Sequence, residues 1–249
     1  MSDRVYRQPH AVLDPVGRRI KAEKIRRLLE LNKSLAGLIR VLEIGTGSGA
    51  IASYFASLPD IQCEVDAVDV LDQRSVTDGY RFQKVDGVKL PFDDESFDIV
   101  ISNHVIEHVG NASQQMAHLG EIARVLSLRG VAYLASPNRW QLVEPHYRLV
   151  FLSWLPRPFR SFYLRVSGKG DYYDCEPLQM KPLEAMIQRA GLRYQNICVP
   201  ALRYILEVEK PRSALARLLG YLPDSLFENL RRVCPTHIYL LVRRPADHD

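Results

Sequence analysis

The chain has 249 residues, 47% of them hydrophobic and 25% charged, an ordinary globular composition with length enough for a substantial core. Its 33 basic and 29 acidic residues leave a net charge of +4, too mild to indicate nucleic acid as a partner. Four scattered cysteines, Cys63, Cys175, Cys198 and Cys234, form no C-x-x-C pair, which argues against a disulfide framework or zinc cluster and suits a reducing compartment. The polar segment from Met1 to His10 is unlike a signal peptide, and no run approaches the roughly 18 apolar residues of a membrane span, so a cytoplasmic location is expected.

In chain order, the pattern predicts a basic amphipathic helix over Gly17 to Leu35, with Ile20, Leu28, Leu29 and Leu35 available to face a sheet. Arg40 to Ile44 reads as a strand covered on both faces. Gly45-Thr46-Gly47-Ser48-Gly49 is a turn, and a helix from Gly49 to Leu58 stops at Pro59. Strands follow at Cys63 to Val68, Arg81 to Val85 and Phe97 to Ser102. A helix is expected over Ser113 to Leu126, with Ser113 as its N-cap, then a fifth strand over Gly130 to Ala135. Lys181 to Ala190 is a helix closed by Gly191, Leu192 to Val199 a sixth strand, and Thr236 to Arg243 a final antiparallel strand. Alternating strands and helices of this kind predict an α/β fold, a Rossmann-like, doubly wound, mostly parallel seven-stranded sheet with helices on both faces.

A strand, a glycine turn and a helix opening make a nucleotide-type cofactor site, because free N–H groups of the first helical turn face the ligand. Gly45-x-Gly47-x-x-Ala50 also fits the relaxed dinucleotide fingerprint, so an NAD-dependent oxidoreductase is the competing reading. Asp69, at the end of the second strand, suits ribose hydroxyls in either case. Three details favour S-adenosylmethionine (SAM). Glu43 places a carboxylate near a cofactor end that is anionic in NAD and carries an ammonium in SAM. Asp86, after the third strand, suits an adenine amino group. The run Leu90-Pro91-Phe92-Asp93-Asp94-Glu95-Ser96-Phe97-Asp98-Ile99-Val100 then supplies a polar turn and a buried strand.

With His104-Val105-Ile106-Glu107-His108 beyond the fourth strand, this ordered set resembles a class I SAM-dependent methyltransferase of the small-molecule branch, strongly over residues 38–137 and more loosely along the whole chain. The resemblance implies SAM as cofactor and S-adenosylhomocysteine as product. It implies that Gly45 to Gly49 pass beside the methionine part, that Asp69 holds the ribose, and that Asp86 with the backbone of Gly87 holds the adenine. Glu43, Thr46, Val70 and Asn103 complete the implied cofactor set, and His104 lines the pocket near the sulfonium. H-x-x-E-H is also the signature of inverted zinc peptidases, but it follows a strand of a nucleotide-binding sheet, the wrong context for a zinc helix. No metal site is expected.

On this reading residues 1–249 form one methyltransferase domain with an N-terminal helical cap (1–37), a lid or acceptor insertion (139–180) and a helical insertion (201–235). The first insertion interleaves aromatics with Arg157, Arg160 and Arg165. It is read either as a lid packing its own apolar face or as a greasy acceptor channel, with peripheral membrane contact through 149–165 as a further possibility that Pro156 and Pro158 weaken. In the second, Leu215, Leu218, Leu219, Leu222, Leu226, Phe227 and Leu230 recur near helical spacing, with Arg212, Arg217, Arg231 and Arg232 between them, and Asp224 is the expected N-cap of a short helix.

A hydroxyl acceptor benefits from a base, and the candidates are His104, His146 and Glu144, with Tyr172 or Tyr173 orienting the acceptor. Ser102-Asn103-His104-Val105 departs from the Asn/Asp-Pro-Pro-Tyr/Phe tetrad of enzymes that methylate base or amide nitrogens. A small-molecule or lipid-linked acceptor is therefore expected, and the Ser136-Pro137-Asn138-Arg139 turn followed by Glu144-Pro145-His146 resembles bacterial methyltransferases that act on sugars, polyketide-like metabolites or isoprenoid-linked compounds, a resemblance that implies oxygen as the methylated atom. A non-catalytic SAM-binding partner protein is the remaining alternative, and the oligomeric state is open.

Overall fold

The computed structural model of the protein describes residues 14–29, 37–209 and 221–244. Nine strands occur among them: β1 Ile39–Ile44, β2 Cys63–Asp69, β3 Arg81–Lys84, β4 Phe97–Asn103, β5 Leu126–Pro137, β6 Val143–Glu144, β7 Leu149–Val150, β8 Leu192–Asn196 and β9 Thr236–Arg243. Seven of them form one sheet in the order β3-β2-β1-β4-β5-β9-β8, and β6 and β7 make a separate hairpin. β1 to β5 run parallel, while β9 is antiparallel to both β5 and β8. This is the expected Rossmann-like sheet with its antiparallel last strand.

Alternation along the strands explains why helices cover both faces. Val41, Ile99, Ile101, Val131 and Tyr133 share one core with residues of α1 (Pro15–Leu29), α2 (Ala50–Ala56) and α6 (Cys198–Tyr204). Leu42, Ile44, Val100, Ala132 and Leu134 share the opposite core with α3 (Ala112–Val125) and α5 (Met180–Arg189). In β1, Val41 and Glu43 therefore face α2, whereas Leu42 and Ile44 face α3 and α5.

Several boundaries differ from the sequence expectation. In α1 the buried residues include Ala22, Ile25, Leu28 and Leu29, while Ile20 is exposed, and Leu35 lies outside the described residues. The N-cap of α3 is Asn111, not Ser113: its side chain accepts from the N–H groups of Ser113 and Gln114, and the Gln114 side chain returns a bond to the Asn111 N–H, closing a capping box. β5 starts at Leu126, with a register shift opposite Phe97 and Ile99. β8 ends at Asn196 because Cys198 opens α6. Pro223 caps the helix Asp224–Leu230, so Asp224 is its first residue. Arg212, Leu215, Arg217, Leu218 and Leu219 lie outside the described residues.

The 139–180 insertion is more than a helical lid. The β6–β7 hairpin comes first, then a single 3₁₀ turn at Leu152–Trp154 and α4 (Arg157–Val166). Pro156 is the N-cap of α4 and Pro158 sits in its first turn, so the prolines start this helix instead of breaking one. Tyr147, Leu149, Leu152, Leu164, Tyr173 and Cys175 form a small core of their own beneath it. No helix among the described residues is long and apolar enough to cross a membrane.

Candidate active site

Sequence order in the sheet reverses between β1 and β4, and open α/β sheets bind ligands at the carboxyl ends of strands flanking such a reversal. A cavity of about 500 Å³ lies there. One end is walled by the ends of β2 and β3 through Asp69, Val70, Leu71, Val85, Gly87, Val88 and Leu90. The other is walled by Asn103, His104 and His108 beyond β4 and by Pro145, His146, Arg148 and Asp174 of the insertion.

Six of the ten expected cofactor residues line it: Gly45, Gly47, Asp69, Val70, Gly87 and Asn103. The other four do not. Glu43 is buried behind the glycine turn, where its carboxylate accepts from Thr46 Oγ1 at 2.7 Å and from the Ala52 N–H at 2.9 Å. Glu43 and Thr46 thus clamp the turn to the start of α2 instead of facing a ligand. Burial pushes the Glu43 carboxyl up to about 8, against the opposing pull of the Thr46 bond and the charge of Arg18. Gly49 has a φ of 81° and packs against the Val76 carbonyl and Tyr80 hydroxyl, so its missing side chain serves chain packing. Asp86 is exposed between two wall residues, Val85 and Gly87.

Gly45 shows why a glycine is required at the turn itself: its φ is 74°, and a Cβ there would stand 2.5 Å from Val105. Asp69 Oδ2 accepts from the Gly47 N–H at 2.9 Å and Oδ1 from the Leu71 N–H at 3.2 Å, which ties the turn to the end of β2. Nothing lies within 4 Å of where a Gly87 Cβ would sit, leaving an open cradle between apolar walls. An acidic group, bare backbone and an aliphatic slot suit the ribose, chain and base of an adenosyl cofactor.

Sequence reasoning missed several cavity residues, among them Arg18, Lys21 and His118. Arg18 and Lys21 reach the cavity from α1, and Arg18 acts by charge on Glu43 and Asp69. The sequence marks α1 only as basic. His118 reaches it from α3, and its Nε2 lies 3.0 Å from Ser102 Oγ. Burial lowers the His118 pKa to about 4, so this imidazole is neutral and fixed.

All three expected catalytic residues lie at or behind the cavity end beyond β4, in different settings. His104 lines the cavity in a left-handed conformation, φ 59°, with Nδ1 3.3 Å from the buried Glu107 carboxylate. His146 lines the wall, and its Nδ1 is 2.6 Å from Glu144 Oε1. Glu144 itself is buried and does not reach the wall. Its second oxygen accepts from the Tyr147 N–H at 2.8 Å, which fixes the carboxylate and hence the ring. Burial disfavours protonated His146, but the bond and charge of Glu144 outweigh it and raise the pKa. Tyr173 is buried in the insertion core, and Tyr172 is exposed. Ile106–His108 is a single 3₁₀ turn and not an α-helix, so His104 and His108 lack the helical pairing that an inverted zinc peptidase requires.

Comparisons with known proteins bear on the family and the fold. Residues 42–134 match the methyltransferase domain family. The demethylmenaquinone methyltransferase of Chlorobaculum tepidum is 26% identical over 191 residues, 73% of this chain and 75% of its own length. The ubiquinone biosynthesis O-methyltransferase of Rickettsia akari is 25% identical over 63% of this chain and 64% of its own. Among solved structures, a putative sarcosine dimethylglycine methyltransferase from Galdieria sulphuraria superposes with a TM-score of 0.54 at 15% identity, covering 90% of this chain and 85% of that one. Sheet order, glycine turn and domain match define a class I methyltransferase fold. The chain is a SAM-dependent methyltransferase.

Proposed function

We propose that the protein transfers the SAM methyl group to a hydroxyl oxygen of a small, lipid-linked aromatic acceptor. The observation that carries this reading is the 2.6 Å pair between Glu144 and His146 at the acceptor end of the cavity. A buried carboxylate bonded to Nδ1 fixes the ring and stabilises its protonated form, as the partner of a general base must. SAM supplies an already activated methyl, whose bond to sulfur breaks as the bond to the acceptor oxygen forms. The residues then have three tasks. His146 takes the hydroxyl proton, Glu144 stabilises the imidazolium that results, and the walls hold the partners in line. Positioning of that kind is worth up to ~7–11 kcal/mol in favourable cases, and a base a further ~10²–10⁴-fold. The relatives named for menaquinone and ubiquinone biosynthesis support a quinone-precursor type of acceptor.

An exposed apolar patch on and around the β6–β7 hairpin, whose turn residues Pro145, His146 and Arg148 line the cavity, supports the lipid character. Trp140, Leu142, Val143, Val150, Phe151 and Trp154 are all exposed, and they are contiguous. Val143 pairs with Val150, the Phe151 N–H bonds the Leu142 carbonyl, and the Trp154 ring packs edge-on against Trp140 and Phe151. Arg157, paired with Glu176, and Arg165 are exposed on α4, the helix that follows this segment. Calorimetric titration with SAM and S-adenosylhomocysteine, followed by labelled-methyl transfer to prenylated catechols with and without anionic vesicles, tests the reading. Methyl incorporation that vesicles enhance and that His146→Ala abolishes is the expected result. Unchanged incorporation by His146→Ala would remove the base assignment, and failure to bind SAM would remove the whole reading.

A further inference from the structure

The acceptor end of the cavity holds a second cluster that the methyl-transfer chemistry does not use. His108 Nδ1 lies 3.6 Å from Cys175 Sγ, and Cys175 Sγ lies 3.7 Å from Asp174 Oδ1. One ligand-capable atom from each of these residues lies within 4.8 Å of the others, and the same holds for Glu144, His146 and Cys175. We propose that His108, Asp174 and Cys175 form a site for a borderline-soft divalent cation of the zinc type, with its open coordination position facing the acceptor. The acceptor clause rests on the function proposed above; the metal site itself does not.

The spacing fits. Bonds of roughly 2.3 Å to sulfur and 2.0–2.2 Å to nitrogen or oxygen give tetrahedral edges of roughly 3.5 Å. Both sulfur edges here, 3.6 and 3.7 Å, match that length. The donor set of thiolate, imidazole and carboxylate suits zinc or cobalt and not magnesium or calcium, which take oxygen ligands. His108 turns its other nitrogen, Nε2, toward Glu107, 3.9 Å from Oε1. A buried carboxylate behind a ligating imidazole is the outer partner that orients such rings, and Glu107 is fully buried beside both His104 and His108.

Access fits too. Cys175 is buried beneath the wall, whereas His108 and Asp174 line the cavity, so the side left open by three protein ligands faces the acceptor. Three ligands and one open position make the arrangement of a catalytic metal centre. A hydroxyl bound there becomes more acidic and is held within reach of His146, whose ring centroid is 5.2 Å from that of His108. The cation and the base then act on the same proton.

The test uses the full chain stripped by a chelator and titrated with Co²⁺, without SAM. One equivalent bound, with a near-ultraviolet thiolate-to-cobalt charge-transfer band, is expected. Cys175→Ser should lose that band while Cys63→Ser keeps it, and Glu107→Gln should weaken Co²⁺ binding by about 10–100-fold. SAM affinity of each variant, measured separately, shows that it is folded. Wild-type protein that binds SAM but gives no such band, or a band that survives Cys175→Ser, overturns the metal site. Loss of SAM binding in the wild type instead overturns the function proposed above, and the cobalt spectrum still decides the metal.

Discussion

The two ends of the cavity are built in different ways. The cofactor end is made mostly of backbone and sheet edge: Gly45, Gly47 and Gly87 contribute by lacking side chains, and Asp69 holds both the turn and its own strand end. The acceptor end is made of titratable side chains on short, irregular pieces, with His104 and His108 after β4 and His146 and Asp174 in the insertion. Backbone geometry follows from the fold, whereas the chemistry of side chains depends on which residues stand there. Substitutions in the two ends should therefore fail differently, the first through folding and affinity and the second through turnover.

Gly49 gives the largest effect on the backbone side. Gly49→Ala places a Cβ against the Val76 carbonyl, a backbone atom that cannot swing away, at a φ that L-residues rarely adopt. Strain and overpacking together should cost roughly 2–5 kcal/mol, read as a drop in denaturation midpoint with SAM affinity lost alongside. A variant that melts like wild type would show that the turn can relax, contrary to its tie to the segment around Val76.

On the side-chain side, His146→Ala should lower kcat by about 10²–10⁴-fold with SAM affinity unchanged. Glu144→Gln should lower it as well, because the amide keeps a bond to the ring but carries no charge to stabilise the imidazolium. Equal losses in kcat and SAM affinity would erase the contrast between the two ends.

Glu43 joins the two logics, because a titratable side chain there supports backbone. Its pKa stands at about 8 in the folded chain, above the unfolded carboxylate value. The protonated form is thus favoured by folding, and the stability it contributes is present below the unfolded value and lost as pH rises toward 8. Glu43→Gln should abolish that loss, so the stability difference between variant and wild type should move in favour of the variant across this window and level off above it. Urea midpoints at three pH values read the effect, of order 1–4 kcal/mol. A cationic ligand nearby favours the carboxylate, so SAM binding near neutral pH should release a proton, counted by calorimetry in buffers of different ionisation enthalpy.

This contrast also explains what the sequence could reveal. The order of β1 to β5, the glycine turn and Asp69 were legible because strand patterning and glycine are local signals that carry their own geometry. Glu43 was legible as important, but its bonds to Thr46 and Ala52 were not, since side-chain direction depends on which face of β1 packs on α2. Arg18, His118 and Cys175 were not legible as site residues. Each arrives from a different element, through packing between segments far apart in the chain, and a lone basic or sulfur residue carries no local mark. Glu144 and His146 stand two residues apart, yet only the β6–β7 hairpin turns their side chains together.

The smallest expected effect tests whether the acceptor end is rigid by itself or borrows rigidity from the scaffold. Asn111 caps α3 just beyond His108, and α3 carries His118 into the cavity. Asn111→Ala removes the acceptor for the Ser113 and Gln114 N–H groups and should cost about 1 kcal/mol of stability. Gln115, one turn further on, bonds the Ile106 and Glu176 carbonyls and so joins α3 to both segments that carry the acceptor residues. If those bonds hold the acceptor end in place, the variant melts earlier but retains wild-type kcat at temperatures where it is folded. A fall in kcat without a matching change in SAM affinity would instead mean that the cap positions the histidines, and that the acceptor end depends on the start of α3 for its geometry.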